Sequence, residues 1–214
     1  KDNKILLHNQ NLEGSLNIDL KSENWRTQSG QWHDYVFAVL LEFEKLGLKP
    51  PNGFEGTLFS DIPTGAGLSS SAAIELVIAK TLNSLFDFGL DKTALALLCQ
   101  RAENNFIGVN CGIMDQFAIA HGSKNEVLML NCDSLDYENI PCSIGDYRFI
   151  ITDSSKSREL SESKYNERLD ECAEALRRLK QVMPYLDNLC QLSHFDLEQN
   201  GRCLAHPTLL KRAR

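Results

Sequence analysis

The chain has 214 residues, of which 43% are hydrophobic and 24% are charged. This length suits one large domain or two small ones, and the composition is that of an ordinary globular protein. The 29 acidic residues outnumber the 22 basic ones, so the formal net charge is −7. No overall positive field therefore attracts nucleic acid or anionic lipid, although a local basic groove for a phosphorylated small molecule is compatible with this charge.

Membrane-spanning and secreted proteins are excluded by the lengths of the apolar runs. The longest, residues 35–41 and 76–79, fall far short of the roughly 20 residues that cross a bilayer, and the N-terminus does not lead into a signal-peptide core. The seven cysteines form an odd set without a C-x-x-C pair, which is typical of free thiols in a reducing cytosol. We therefore predict a cytoplasmic protein without a structural metal site.

Short strands and longer helices follow one another along the chain. Strands are predicted at residues 5–7, 15–20, 54–59, 126–130 and 147–152. Helices are predicted at residues 34–46, 70–86, 91–104 and 163–182, with Asp91 as the N-cap of the third. Residues 108–120 are less regular, because Gly108 and Gly112 interrupt the pattern. The elements are mixed without strict alternation, which favours an α+β fold, and a composition shift near residues 141–146 suggests a domain boundary.

A glycine- and serine-rich segment stands between a predicted strand and a predicted helix. Its two glycines let the backbone approach an anion closely, and its three hydroxyls add donors beside the unpaired N–H groups of the helix start. It is neither a P-loop nor a Gly-x-Gly-x-x-Gly motif. An anion-binding loop and a tight turn with a serine cap both remain open. The segment consists of Gly65, Ala66, Gly67, Leu68, Ser69, Ser70 and Ser71.

Acidic residues follow this loop at two positions of interest. Asp115 stands among the apolar residues Ile113, Met114 and Phe117, where a carboxylate either finds hydrogen-bond partners or has its pKa raised. A catalytic acid and a structural aspartate with its hydrogen bonds satisfied both fit this pattern. Glu103 lies near the end of the preceding predicted helix, and a serine hydroxyl with a carboxylate is a reasonable ligand pair for Mg²⁺ held with nucleotide phosphates. Spacing alone does not bring Ser71 and Glu103 together.

Other polar residues give weaker indications. Tyr165 and Arg168 begin the long predicted helix. Their residue types are typical of a half-buried tyrosine and a solvent-exposed arginine. The five histidines show no metal-binding spacing, and the triple serine lacks the Gly-x-Ser-x-Gly elbow of a serine hydrolase.

Three motifs in order resemble the GHMP kinase superfamily and, within it, the galactokinases. The first is Pro63-Thr64-Gly65-Ala66-Gly67-Leu68-Ser69-Ser70-Ser71-Ala72-Ala73, similar to the second GHMP signature. The second is Ala102-Glu103 followed by Cys111-Gly112-Ile113-Met114-Asp115-Gln116-Phe117. The third is Ser157-Arg158-Glu159-Leu160 leading to Tyr165-Asn166-Glu167-Arg168 and Glu171-Cys172. The resemblance covers nearly the whole chain.

The resemblance implies a role for each matching position. Residues 65–71 match the ATP-phosphate loop, and Ser71 and Glu103 match the family's Mg²⁺ ligands. Asp115 matches the catalytic residue beside the anomeric hydroxyl of the sugar, and Tyr165 matches a tyrosine that contacts galactose. The implied reaction transfers the ATP γ-phosphoryl group to the C1 hydroxyl of α-D-galactose, and galactose and ATP are the implied small-molecule partners. No protein partner is indicated.

The chain also departs from the galactokinase pattern. The family's first motif, which supplies most sugar contacts and an arginine paired with the catalytic aspartate, has no match in residues 1–31, and a glycine-rich third motif is missing after Gly145. The resemblance therefore implies a two-domain GHMP kinase fold. Residues 1–145 would belong to the N-terminal domain, incomplete at its start, and residues 146–214 to the beginning of the C-terminal domain. We expect the isolated chain to be inactive as a kinase.

Two other functions stay open at this level. A galactokinase-like sugar sensor would bind ATP and galactose without transfer, although the intact Ser71-Ala72-Ala73 favours an enzyme. A kinase for N-acetylgalactosamine would share the same motifs, because the sugar-reading first motif that separates the two is absent.

Overall fold

The computed structural model describes residues 3–152 and 159–214, with side chains in the second range from residue 164 onward. The described residues form two compact units, within residues 1–156 and 157–214. The domain boundary expected after residue 145 stays a prediction. Ser157 and Arg158 of the third motif, and the side chains of Glu159 and Leu160, lie outside the description.

A small sheet and three helices form the main core of the first unit. The strands are β1 (Lys4–Asn9), β2 (Ser15–Asp19) and β3 (Glu55–Leu58), in the order β2-β1-β3, with β1 antiparallel to β2 and parallel to β3. Ile5 pairs with Ile18 and Leu7 with Leu16, so every second side chain of both strands is buried. The helices whose side chains share this core are α1 (His33–Lys45), α2 (Ser70–Leu85) and α3 (Lys92–Ala102).

The predicted helix boundaries follow from local chemistry. Helix α1 buries Val36, Val39, Leu40 and Phe43 and ends before Gly47, whose φ of +75° suits glycine. Asp91 is the N-cap of α3, as predicted, because its carboxylate accepts a hydrogen bond from the backbone N–H of Ala94 at 2.7 Å.

A π-helical turn (Glu103–Ile107) extends α3, and a short helix, α4 (Met114–His121), follows it. Strands β4 (Glu126–Leu130) and β5 (Tyr137–Pro141) then pair as an antiparallel hairpin. Phe117 of α4 lies in a second core with Ile113 and Ala96, and Leu128 and Leu130 of β4 pack against it. Neither α4 nor β5 was predicted from the sequence.

The strand predicted at residues 147–152 is wrong, since this segment has no regular structure. Tyr147, Phe149 and Ile150 are each more than 80% exposed, and no strand of the described residues pairs with them. Apolar, β-prone residues do not make a strand unless a neighbouring strand accepts their hydrogen bonds.

The second unit is helical. It contains α5 (Glu159–Lys180), α6 (His194–Asn200) and α7 (Pro207–Ala213), with 3₁₀ turns at Leu189–Gln191 and Gly201–Leu204. Leu179, Leu186 and Leu204 are its fully buried centre, and Arg212 on α7 contacts Glu171 on α5 at 2.6 Å. The first unit combines sheets with helices and the second unit is helical, so the predicted α+β class is confirmed. Over the residues described, every helix is too short or too polar to traverse a bilayer.

Candidate active site

The glycine- and serine-rich loop has an unusual backbone. Gly65, Gly67 and Ser69 all take left-handed conformations, with φ of +78°, +83° and +56°. Glycine does this freely, whereas a serine rarely does, and such residues concentrate at ligand-binding loops. The Ser69 side chain makes no cap hydrogen bond to α2, so the serine-capped turn is not what the structure contains. The first N–H groups of α2 therefore face the loop without a cap from this serine, as in an anion-binding helix start.

Ser71 and Glu103 lie close together at this loop. Ser71 lies in the first turn of α2, and its hydroxyl is near enough to the carboxylate of Glu103, which opens the π-helical turn, to lower the pKa of that acid. Glu103 is only 7% exposed and also accepts hydrogen bonds from Gln116 Nε2 at 2.6 Å and from the Cys111 thiol at 3.4 Å. Burial raises the pKa of Glu103, while these donors act in the opposite direction.

The π-helical turn fixes where Glu103 points. It is anchored to α1 through Glu42, a buried carboxylate that accepts hydrogen bonds from Asn105 Nδ2 at 3.0 Å and from Arg101 Nε at 3.2 Å. The turn closes at Gly108, with φ of +86°, whose N–H bonds the Glu103 carbonyl at 2.9 Å. Such π-turns are frequent at functional sites, because the extra residue re-aims the side chains around it.

Asp115 lies in the first turn of α4 and is half-buried. It is close enough to Glu103 for its negative charge to raise the pKa of that carboxyl group. The structure therefore places Ser71, Glu103 and Asp115 in one neighbourhood. Tyr165 lies on α5, in the second unit, and is 45% exposed. Its contact with a sugar stays a prediction.

A cleft of about 330 Å³ adjoins the loop. Its walls are mostly apolar, from the ends of β1 and β3 and the starts of α1 and α2, and the hydroxyl-bearing residues Ser70 and Ser71 also line it. This size and lining suit the apolar part of a small ligand. The lining residues are Asn9, Asn11, Leu12, Trp32, Tyr35, Leu58, Phe59, Ser60, Asp61, Ile62, Thr64, Ser70, Ser71, Ala73, Ile74 and Val77. Most were missed from the sequence, because they come from four separate elements and carry no motif.

The donor side chains around the loop determine how a metal ion could be held. Among the residues with described positions, no group of three or more His, Cys, Asp or Glu side chains could hold an ion by itself. A hydroxyl and a nearby carboxylate are nevertheless hard-oxygen donors, and Mg²⁺ is commonly held by one or two protein ligands together with substrate phosphates. Ser71 and Glu103 fit that second kind of site.

The family model and the sequence relatives that match this chain agree with each other. Residues 34–123 match the GHMP kinases N terminal domain. The galactokinase of Clostridium beijerinckii is 38% identical over this whole chain, and that of Clostridium tetani is 40% identical. The chain spans 54–55% of the length of these relatives.

Solved structures agree with the sequence relatives. The crystal structure of Lactococcus lactis galactokinase complexed with galactose matches the whole chain with a TM-score of 0.92 and 37% identity, the chain covering 55% of it. Methanococcus jannaschii mevalonate kinase shares the fold alone, at a TM-score of 0.54 and 19% identity. Residues 34–123 thus match the GHMP kinase N-terminal domain, and the whole chain is similar to about half the length of a galactokinase.

Proposed function

We propose that the protein containing this chain is a galactokinase, which transfers the γ-phosphoryl group of ATP to the C1 hydroxyl of α-D-galactose. The observation that carries the proposal is the proximity of Ser71 and Glu103, beside a left-handed glycine loop, a helix start and a largely apolar cleft. The galactose-bound relative supports galactose as the sugar.

Each part of the site has a task in this reaction. The adenine base would lie in the cleft against the indole of Trp32, and the triphosphate would lie on the loop at residues 65–71, where backbone N–H groups and hydroxyls donate to its oxygens. Ser71 and Glu103 would hold Mg²⁺, which when bound neutralises phosphate charge. Phosphoryl transfer needs positioning and charge stabilisation above all.

Asp115 would act on the sugar. Its carboxylate accepts the proton of the C1 hydroxyl as that oxygen bonds to the γ-phosphorus and the bond from phosphorus to the bridging oxygen of ADP breaks. Tyr165 would contact the sugar. We also propose a cytoplasmic location, which the seven unpaired thiols support.

Turnover by the complete protein tests the proposal. With ATP, Mg²⁺ and galactose, ADP should form only when the sugar is present, and ³¹P NMR should show a sugar 1-phosphate. Binding of both ligands without ADP formation would instead indicate the sugar sensor. Faster turnover of N-acetylgalactosamine than of galactose would indicate the related kinase.

A further inference from the structure

Gln116 connects two groups of the proposed site. It belongs to the first turn of α4, next to Asp115 in the chain, and its side chain is fully buried. Its Nε2 donates a hydrogen bond to Glu103 Oε2 at 2.6 Å. This contact therefore ties the helix that carries Asp115 to the π-helical turn that carries Glu103.

The direction of the Gln116 amide follows from its partner. Glu103 Oε2 acts as an acceptor, so Gln116 presents its N–H₂ end to it, and reversing the amide would set two oxygens against each other. Both side chains are shielded from water, because Glu103 is almost as deeply buried as Gln116. A hydrogen bond between such groups is costly to lose, since neither group then finds water as a replacement partner.

Two donors take the same oxygen of Glu103. The Cys111 thiol also donates to Oε2, at 3.4 Å, and a thiol is a weak donor, so Gln116 makes the stronger of these two bonds. The carboxylate is thereby held through Oε2, which leaves Oε1 for partners at the loop. Carboxylates that bind a metal are commonly held in place by hydrogen bonds of this kind.

We propose that Gln116 is a positioning residue: it holds Glu103 by Oε2 so that Oε1 is presented towards Ser71, and it fixes Asp115 relative to that carboxylate. This inference rests on the proposed function, which gives Glu103 and Asp115 their roles. The alternative is a purely structural contact. Such a contact would stabilise the fold without changing how the protein responds to Mg²⁺.

Gln100 offers a matched control. It lies on α3, and its Nε2 also donates within this part of the site, but the acceptor is the backbone carbonyl of Cys111, at 3.3 Å. Gln116→Met and Gln100→Met each keep the approximate volume of the side chain and remove one amide donor. Only the first removes a donor from the Glu103 carboxylate. A difference between the two variants therefore reports on positioning rather than on packing.

Calorimetry of ATP binding without galactose measures the effect in the absence of turnover. In the complete protein we expect ATP to bind more tightly in Mg²⁺ than in EDTA. This gain should fall about tenfold in Gln116→Met, whereas binding in EDTA should stay near the wild-type value. The Mg²⁺ concentration for half-maximal ADP formation should rise by a similar factor. Gln100→Met should match the wild type in both measurements.

Far-UV circular dichroism checks that each variant is folded. If Gln116→Met does not fold, Gln116→Asn takes its place, because asparagine keeps the amide on a shorter side chain that withdraws it from Glu103. An unchanged Mg²⁺-dependent gain in the folded Gln116 variant would overturn the positioning role. An equal loss in Gln100→Met would also overturn it, because packing alone would then explain the result.

Failure of the proposed function gives a different result. If ATP binding depends on Mg²⁺ and on Gln116 but the wild type forms no ADP with galactose, the positioning role stands and the proposed reaction fails. If Mg²⁺ does not strengthen ATP binding by the wild type, Glu103 is not a metal ligand, and the positioning role is overturned with that assignment.

Discussion

The Ser71 hydroxyl lies close enough to the Glu103 carboxylate to lower the pKa of that acid, so the first turn of α2 lies beside the π-helical turn after α3. Ser71 also lines the cleft beside the loop. A hydroxyl with a buried carboxylate nearby and a ligand-sized cleft beside it is well placed to share a cation with phosphate oxygens.

Replacing either residue should weaken the response to Mg²⁺. Ser71→Ala removes one oxygen ligand and Glu103→Gln removes the negative charge of the other, so we expect the Mg²⁺ concentration for half-maximal ADP formation to rise by an order of magnitude or more. Ser84→Ala is the matched control, because Ser84 lies exposed near the far end of α2. Wild-type Mg²⁺ titrations for both site variants would contradict the ligand assignment.

Replacing Asp115 should affect the chemical step. Asp115→Asn keeps the volume and removes the base, so kcat with saturating ATP and galactose should fall on the order of 10²–10⁴-fold while ATP still binds. The control is Asp133→Asn, at an exposed position before β5. An unchanged kcat in Asp115→Asn would show that another group takes the proton.

Nucleotide binding should be visible through one of the two tryptophans. Trp32 lines the cleft, whereas Trp25 is buried elsewhere, against Phe37 and the Arg26 guanidinium. ATP should therefore change the intrinsic fluorescence of the wild type and of Trp25→Phe, but not that of Trp32→Phe. A response that disappears with Trp25 instead would place the base outside the cleft.

Sequence predicted strands β1 to β4, helices α1, α2, α3 and α5, and the loop. Apolar patterns located the strands and helices, and Asp91 identified the start of α3, because these signals are local. Helix α4 was missed because it has only eight residues and follows two glycines. Strand β5 was missed because Glu138, Asn139 and Pro141 are poor strand formers, and only pairing with β4 makes it a strand.

The site was predictable only in part, for a related reason. The glycines and serines of the loop carry their chemistry in sequence, whereas the proximity of Ser71 and Glu103 depends on how α2 and the π-helical turn pack. Gln116 stands inside the second motif, but no role was predicted for it, because its hydrogen bond to Glu103 depends on the same packing.

The last prediction concerns acid stability and begins with His121. Its ring is buried at the end of α4, stacks on Phe117 with centroids 4.2 Å apart, and pairs with the Thr93 hydroxyl at 3.1 Å. Burial lowers the pKa of His121 below its ordinary 6.5, the nearby Lys92 lowers it further, and Asp91 partly opposes this. The folded protein therefore holds the imidazole neutral where the unfolded chain already binds a proton.

The sign of the pH effect follows from this difference. Stability linked to His121 is fully present above pH 6.5 and is lost as pH falls from 6.5 towards the lower pKa of the folded state, with a slope of at most about 1.4 kcal/mol per pH unit. His121→Gln, compared with the wild type by urea unfolding between pH 5 and pH 7.5, should lose less stability on acidification.

Burial also lowers the pKa of His33, and both proteins keep this second contribution to acid sensitivity. The difference in stability between the two proteins at each pH is therefore the quantity that reports on His121. Parallel curves for His121→Gln and the wild type would show that His121 is protonated equally in the folded and unfolded states.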